Sequence, residues 1–441
     1  MEIRKLGQGS HGDVYLVKLQ NGNQIAVKKS SSKNGISASA LIEVECLNRL
    51  KQESCVAQIL SVFTHKIDGR KITKISIVFY PESMLDYIHK SSREDRLSNV
   101  KYIVDQMIHI LSVLKYHRII HRDIKPGNIM MENYVLKLCD FSLSCSLYVN
   151  GSHPESFDLY TRGYRPPEIC AKIACDYSSD TWSAGATIFE YITGTMMIRP
   201  DSIRLTTTGV IPPNDAELLC IHRISENGIV KVKGMLQKRG IVLGNDIIII
   251  LQNMLIINHI HRLPISNKPR QDIQSNMTEC LYTIHTYNQG IQAILKMCLR
   301  FSTNSRCVLV SLDIYKRYSL LCDERYSKYN VLEIALGSCV IGHKIMGGDI
   351  SIKQFISYFD TSTYWSITVG QTTDVEEYIC NKLNFVFSTP EIIPLAKVLD
   401  RVSEIDKILL LSMVYKQITS EGIHPSRLSY EDVVERVINY L

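Results

Sequence analysis

The chain has 441 residues, 45 % hydrophobic and 21 % charged, with 23 glycines and 13 prolines. That composition excludes a disordered or collagen-like chain and, at about 150 residues per domain, implies two or three domains. The net charge of +6 comes without a long basic run, so charge gives no reason to expect nucleic acid. The densest apolar run, at 247–257, is broken by Gln252 and Asn253 and falls far short of the roughly 20 residues of a membrane span, so no membrane partner is expected. Thirteen cysteines scattered without a C-x-x-C frame point to a reducing compartment. The first residues run straight into a strand pattern, which predicts no secretory leader and a location in cytoplasm or nucleus.

Over residues 3–29, β-branched and apolar residues alternate around Gly7, Gly9 and Gly12, the pattern of strand, glycine turn and strand. Leu41, Val44, Leu47 and Leu50 then recur at the spacing of one helix face, behind a serine that can cap it. Residues 75–80 read as another strand. Beyond Asn99 helical periodicity takes over, with stripes at Ile103, Met107, Ile110, Leu111 and Leu114, and again at Ala184, Ile188 and Tyr191. Residues 264–287 are polar, contain Pro264 and Pro269, and read as a surface connection. From 288 to the end the 3.6-residue period dominates, which predicts an all-α domain.

Five short motifs carry chemistry. Gly7, Gly9, Gly12 and Val14 fit G-x-G-x-x-G-x-V between two strands, where glycine lets the backbone cover phosphates that a Cβ would strike. Ile25-Ala26-Val27-Lys28 ends an apolar strand with a lysine able to reach such phosphates. His121-Arg122-Asp123-Ile124-Lys125-Pro126-Gly127-Asn128 follows, then Asp140-Phe141-Ser142, then Pro166-Pro167-Glu168. Each is weak alone, but five in this order are not expected by chance.

On these motifs the chain resembles the eukaryotic protein kinases over residues 1–265. Ser37-Ala38-Ser39-Ala40-Leu41-Ile42-Glu43 looks like the PSTAIRE stretch, and Thr161-Arg162-Gly163-Tyr164-Arg165-Pro166-Pro167-Glu168 looks like T-x-W-Y-R-A-P-E, so the resemblance is greatest to cyclin-dependent kinases. It implies an α+β bilobal fold: an N-lobe at 1–81 with an antiparallel sheet and one helix, and a helical C-lobe at 82–265. It also implies ATP and Mg²⁺ as cofactors and a protein substrate modified on serine or threonine. By the same resemblance, Lys28 holds the α- and β-phosphates and Glu43 orients it. Asp140 and Asn128 offer hard oxygens to Mg²⁺. Asp123 aligns the substrate hydroxyl and takes its proton, and Lys125 neutralises the γ-phosphate. Leu6, Gly7, Gly9, Gly12, Val14, Ala26, Phe79, Glu82 and Met130 form the nucleotide slot. Asp180, Trp182 and an Arg262–Glu168 ion pair are expected to be architecture.

The chain departs from the family pattern at informative places. Ser142 replaces the glycine of Asp-Phe-Gly, and Ser10-His11 replaces the Thr-Tyr pair of the inhibitory switch. Ser156 and Thr161 lie in the activation segment, Ser156 at the position of the activating threonine. Of the expected arginine cluster only Arg122 remains, with Ile42 at the helix position. A phosphate needs several arginine contacts to order a loop, so phosphorylation of Ser156 is expected to be dispensable.

Within the cyclin-like all-α domain at 288–441, residues 288–385 resemble a cyclin box, with helices expected around 291–295, 308–318, 331–344 and 374–387. Lys344 and Glu376 fall where cyclins carry the lysine and glutamate that meet each other and the kinase helix, and Ile42 is expected to meet apolar surface of the same domain. With 266–287 as linker, the helical domain would act as an intramolecular activator. The resulting expectation is a kinase switched on in cis. The alternative is a pseudokinase scaffold whose helical half recruits or competes for a separate kinase.

Overall fold

The computed structural model describes residues 2–9, 12–146, 160–173, 176–199, 205–206, 209–210, 213–263, 265, 284–301, 305–322, 327–347, 350–362, 367–387, 395, 404–421 and 430–440. Ser156 and residues 266–283 of the expected linker lie outside the described residues.

Alternating side chains at the N-terminus pair into an antiparallel sheet, as period 2 requires when one face is buried. Its strands are β1 (Glu2–Gly9), β2 (Gly12–Lys18), β3 (Gln24–Ser32), β4 (Ile59–Ile67) and β5 (Arg70–Val78), in the order β1-β2-β3-β5-β4. The sequence reading missed β4. Its Thr64, His65 and Lys66 dilute the apolar alternation, as suits an edge strand.

Between β3 and β4 lies α1 (Ala38–Arg49), capped by Ser37, whose Oγ accepts from the Ala40 amide at 3.3 Å. Ala40, Leu41 and every residue from Glu43 to Leu47 are buried. A helix buried all round has neighbours on every side. Here they are β4, β5, the 3₁₀ turn Phe141–Leu143 and a helix from the far end of the chain.

The next layer is helical. It contains α2 (Met84–Lys90), α3 (Arg93–Ser98), α4 (Val100–Tyr116), α5 (Pro167–Cys170), α6 (Tyr177–Thr193), α7 (Pro213–Ile224), α8 (Val232–Gln237) and α9 (Asn245–Met254). Helix α6 is buried from Ser179 to Thr193 and packs on α4 and α9. Short strands β6 (Glu82–Ser83), β7 (Ile119–Ile120), β8 (Ile129–Glu132), β9 (Val135–Leu138) and β10 (Cys145–Ser146) carry the loops between the layers.

The last unit comprises α10 (Ile284–Arg300), α11 (Ser305–Leu321), α12 (Val331–Met346), α13 (Ile352–Ser362), α14 (Val369–Lys382), α15 (Glu404–Ser420) and α16 (Tyr430–Tyr440). Helix α12 runs through its middle, buried from Ile334 to His343, with a capping box at Asn330 and Glu333 and Gly347 closing it at φ +74°. Two expected boundaries need correction. Helix α10 begins at Ile284, so the last residues assigned to the linker are helical. Helix α14 begins at Val369, where Thr368 and Gln371 form a capping box, and stops at Lys382 instead of spanning 374–387. One hydrophobic core continues from α1 and α4 into α10, α12 and α14, so the sheet, the middle layer and the last unit are packed together. Among the described residues no helix is long and apolar enough to cross a membrane.

Candidate active site and its helical support

Sheet register builds one wall of the site. Gly7 pairs with Val14, Val14 with Lys28 and Lys28 with Ile75, so these four form a row across β1, β2, β3 and β5. Ala26, two residues before Lys28, lies on the same face. Gly12 closes the β1–β2 hairpin at φ +136°, and a Cβ there would sit 2.4 Å from the Lys29 carbonyl oxygen, so glycine is required. Leu6 and Gly9 belong to β1, while Phe79 follows β5 and leads to Glu82 in β6. Met130 of β8 pairs with Ser83, which brings the second wall beside that connection. Glu82 itself is turned to Lys90, at 3.0 Å.

Lys28 is the centre of the charged part. Its Nζ lies 2.8 Å from Glu43 of α1 and 2.6 Å from Asp140. Burial works against its charge, but the two carboxylates outweigh burial and raise its pKa above the ordinary lysine value. Burial pushes Glu43 up to about 7, with Lys28 pulling the other way. Burial also opposes ionisation of Asp140, yet Lys28 and the Ser142 hydroxyl, which donates to Oδ1 at 2.7 Å, hold its carboxyl below the usual carboxylate range. Ser142 therefore touches Asp140 directly, a contact that glycine could not make.

The opposite rim is one hydrogen-bonded cluster. The Asn128 amide nitrogen donates to the Asp123 carboxylate at 2.7 Å and to its carbonyl at 2.9 Å, which leaves the Asn128 amide oxygen as the atom it can offer a cation. Lys125 sits 2.8 Å from Asp123 and donates to Thr161 Oγ1 at 2.8 Å, and Thr161 donates to Asp123. Asp180 supports the loop from below by accepting the amides of His121 at 2.6 Å and Arg122 at 2.9 Å. The expected Arg262–Glu168 pair is bidentate at 2.6 Å, with Arg262 over the Trp182 ring. Arg122 donates from Nε to the Leu143 carbonyl at 2.6 Å and from Nη2 to that of Ser144 at 2.9 Å.

On the far side of α1 the helical unit grips the approach to the helix. Lys344 of α12 lies 2.6 Å from Glu376 of α14 and donates to the carbonyls of Asn34 and Ile36, at 2.9 and 2.8 Å. Between those carbonyls Gly35 sits at φ +81°, where a Cβ would lie 2.2 Å from a Glu376 carboxylate oxygen. Ile42 is half-buried against the common core. Three further contacts escaped the sequence reading: Lys71 and Thr64 with Glu377, and Asn48 Nδ2 with the Asn384 carbonyl at 3.0 Å. A lysine at the start of a strand gives no such signal.

A site that joins a hairpin closed by an obligatory glycine to a buried lysine, two acidic loops and a hydroxyl-bearing rim is a phosphate-handling cleft by its chemistry. Sequence comparison agrees: the family profile described as protein kinase domain matches residues 1–307, and the chain belongs to that family. The match passes the expected border at 265 and ends in α11. Cyclin-dependent kinase 20 of Homo sapiens is 26 % identical over 198 residues, 44 % of this chain and 56 % of that protein. Cyclin-dependent kinase 7 of Caenorhabditis elegans is 29 % identical over 201 residues, covering 43 % and 58 %. The cyclin-dependent kinase 4 homolog of the same organism is 31 % identical over 198 residues, covering 43 % and 48 %. The chain thus spans about half the length of these curated relatives.

Proposed function

We propose that the chain is an ATP- and Mg²⁺-dependent serine/threonine protein kinase of the cyclin-dependent type, held active by its own cyclin-like helical unit in cytoplasm or nucleus. The observation that carries the reading is the Lys28–Glu43 contact at 2.8 Å, formed on a helix whose entry loop is clamped by Lys344 and Glu376 of the same chain. Bound ATP supplies the transferable phosphoryl group, and the Asp140 carboxylate and Asn128 amide oxygen suit the accompanying Mg²⁺. Lys28 orients phosphate, Asp123 orients the substrate hydroxyl and accepts its proton, and Lys125 spans Asp123 and Thr161 so that a cation lies where negative charge develops.

Activation without phosphate on Ser156 is supported by Arg122. Its Nε and Nη2 already hold the start of the activation segment through the carbonyls of Leu143 and Ser144. The scaffold alternative finds no observation in its favour, since Ser142 adds a hydrogen bond to Asp140 and removes no ligand group. Radiolabelled transfer from ATP to a basic Ser/Thr peptide, run on wild type and Asp123→Asn, tests the reading. Transfer by the wild type alone and its loss in the variant, with calorimetric nucleotide binding retained in both, are expected. Equal signals from the two proteins would reject it.

A further inference from the structure

An ionic contact joins the helical unit to the sheet, apart from the Lys344–Glu376 pair inside that unit. Lys71 stands near the start of β5, between Ser32 of β3 and Lys66 of β4, and is only 5 % exposed. Its Nζ pairs with the Glu377 carboxylate of α14, which also accepts the Thr64 hydroxyl of β4. Asp374, three residues earlier and hence on the same helix face, lies 3.9 Å from the same Nζ. Burial opposes ionisation of Glu377, but the hydrogen bonds from Lys71 and Thr64 outweigh it and hold its carboxyl below the usual range. A lysine this buried is costly unless an acid meets it. An activator with an apolar or basic face on these strands would bury that charge unpaired, and electrostatic mismatch of this kind is how interfaces reject wrong partners.

We infer that the Lys71–Glu377 pair, backed by Asp374 and Thr64, is the specificity element that commits this catalytic unit to the helical unit of its own chain. Strands β4 and β5 accept an activator helix with an acidic face and disfavour one without it. The inference deepens the cis-activation reading and rests on it.

Charge reversal in the full chain tests it, with two readouts: hydrogen exchange of α1 and α14, and transfer from ATP to peptide. Lys71→Glu and Glu377→Lys should each raise exchange at both helices and lower transfer roughly tenfold or more. Placed together on one chain, they should recover most of both signals, short of full recovery because Asp374 then faces an acid. An equimolar mixture of the two single variants should not recover, because the contact is made within one chain. Unchanged exchange in the single variants, or recovery in the mixture, would overturn the inference. Should the reversed pair not fold, a cycle of Lys71→Gln, Glu377→Gln and their combination replaces it. Non-additive losses are expected there, and additive ones would overturn the inference. Exchange reads the contact even if the wild type transfers no phosphate, so failure of the kinase reading shows separately.

Discussion

Lys28–Glu43 and Lys344–Glu376 are both buried lysine–glutamate pairs, with closest N–O distances of 2.8 and 2.6 Å, and each bears on α1. The first shares its lysine with Asp140, so in the proposed reading its cation serves the reaction. The second shares its lysine with two main-chain carbonyls of the loop entering α1, so its cation belongs to the scaffold. One kind of ion pair thus serves two ends: a charge poised for phosphate, and a fastening that fixes where the helix carrying Glu43 begins. The pairs are linked through α1 and the loop that joins it to β3, which predicts that damage to the second is felt at the first but not the reverse.

That asymmetry can be broken experimentally. Lys28→Met removes the phosphate cation and should cost roughly 10²–10³-fold in transfer while hydrogen exchange across α1 stays protected. Lys344→Met leaves Glu376 buried without its cation. A loss of about 3 kcal/mol, near a 100-fold fall in the docked-to-undocked ratio, should appear as faster exchange in α1 together with slower transfer. If Lys344→Met slowed transfer without loosening α1, the linkage would be wrong.

Gly35→Ala sharpens the same point without removing a charge. Strain of about 1–2 kcal/mol at φ +81°, added to contact with the held tip of Glu376, should weaken docking roughly tenfold, read again by exchange.

The acid limb of activity probes the first pair. Glu43 is useful only when ionised, and burial raises it to about 7, so transfer should decline as pH falls through 7. The effect on stability has the opposite sign. The folded chain keeps this proton up to about pH 7 while the unfolded chain loses it near 4.5, so the group's contribution to stability falls as pH rises through that window. Asp180, raised to about 7 by burial as well, titrates nearby. Glu43→Gln should therefore lower the plateau and remove only the part of the limb that Glu43 owns, as a pH profile of kcat/KM would reveal. The smallest effect belongs to Ser142→Ala. Losing one hydroxyl bond to a partly exposed carboxylate should raise the Mg²⁺ needed for half-maximal ATP binding by a few-fold, measured by titration calorimetry.

Most of the candidate cleft was legible because phosphate chemistry constrains residue types at close sequence spacing. Gly12, Lys28, Asp123, Asn128 and Asp140 sit in short motifs whose neighbours repeat the message. The partnership of Lys344 with Glu376 was readable only through resemblance to cyclins, and the grip on Asn34 and Ile36 was not readable, because backbone carbonyls carry no sequence signal. Lys71 and Glu377 were invisible for a similar reason. A charged residue on a strand or helix reads as solvated until another element covers it, and the residues that meet are 306 apart in the chain. Helix boundaries erred where caps were overlooked: Thr368 and Gln371 mark the start of α14 five residues before Val369's helix was expected to open.

The central claim is that the helical unit of the chain sets α1 so that Glu43 reaches Lys28. It is tested most directly by hydrogen exchange of α1 and peptide phosphorylation measured on the same samples of wild type and Lys344→Met, with no second protein added. The account predicts a protected α1 and measurable transfer in the wild type, and coordinated loss of both in the variant. An α1 equally protected in the two proteins, with equal rates of transfer, would contradict it.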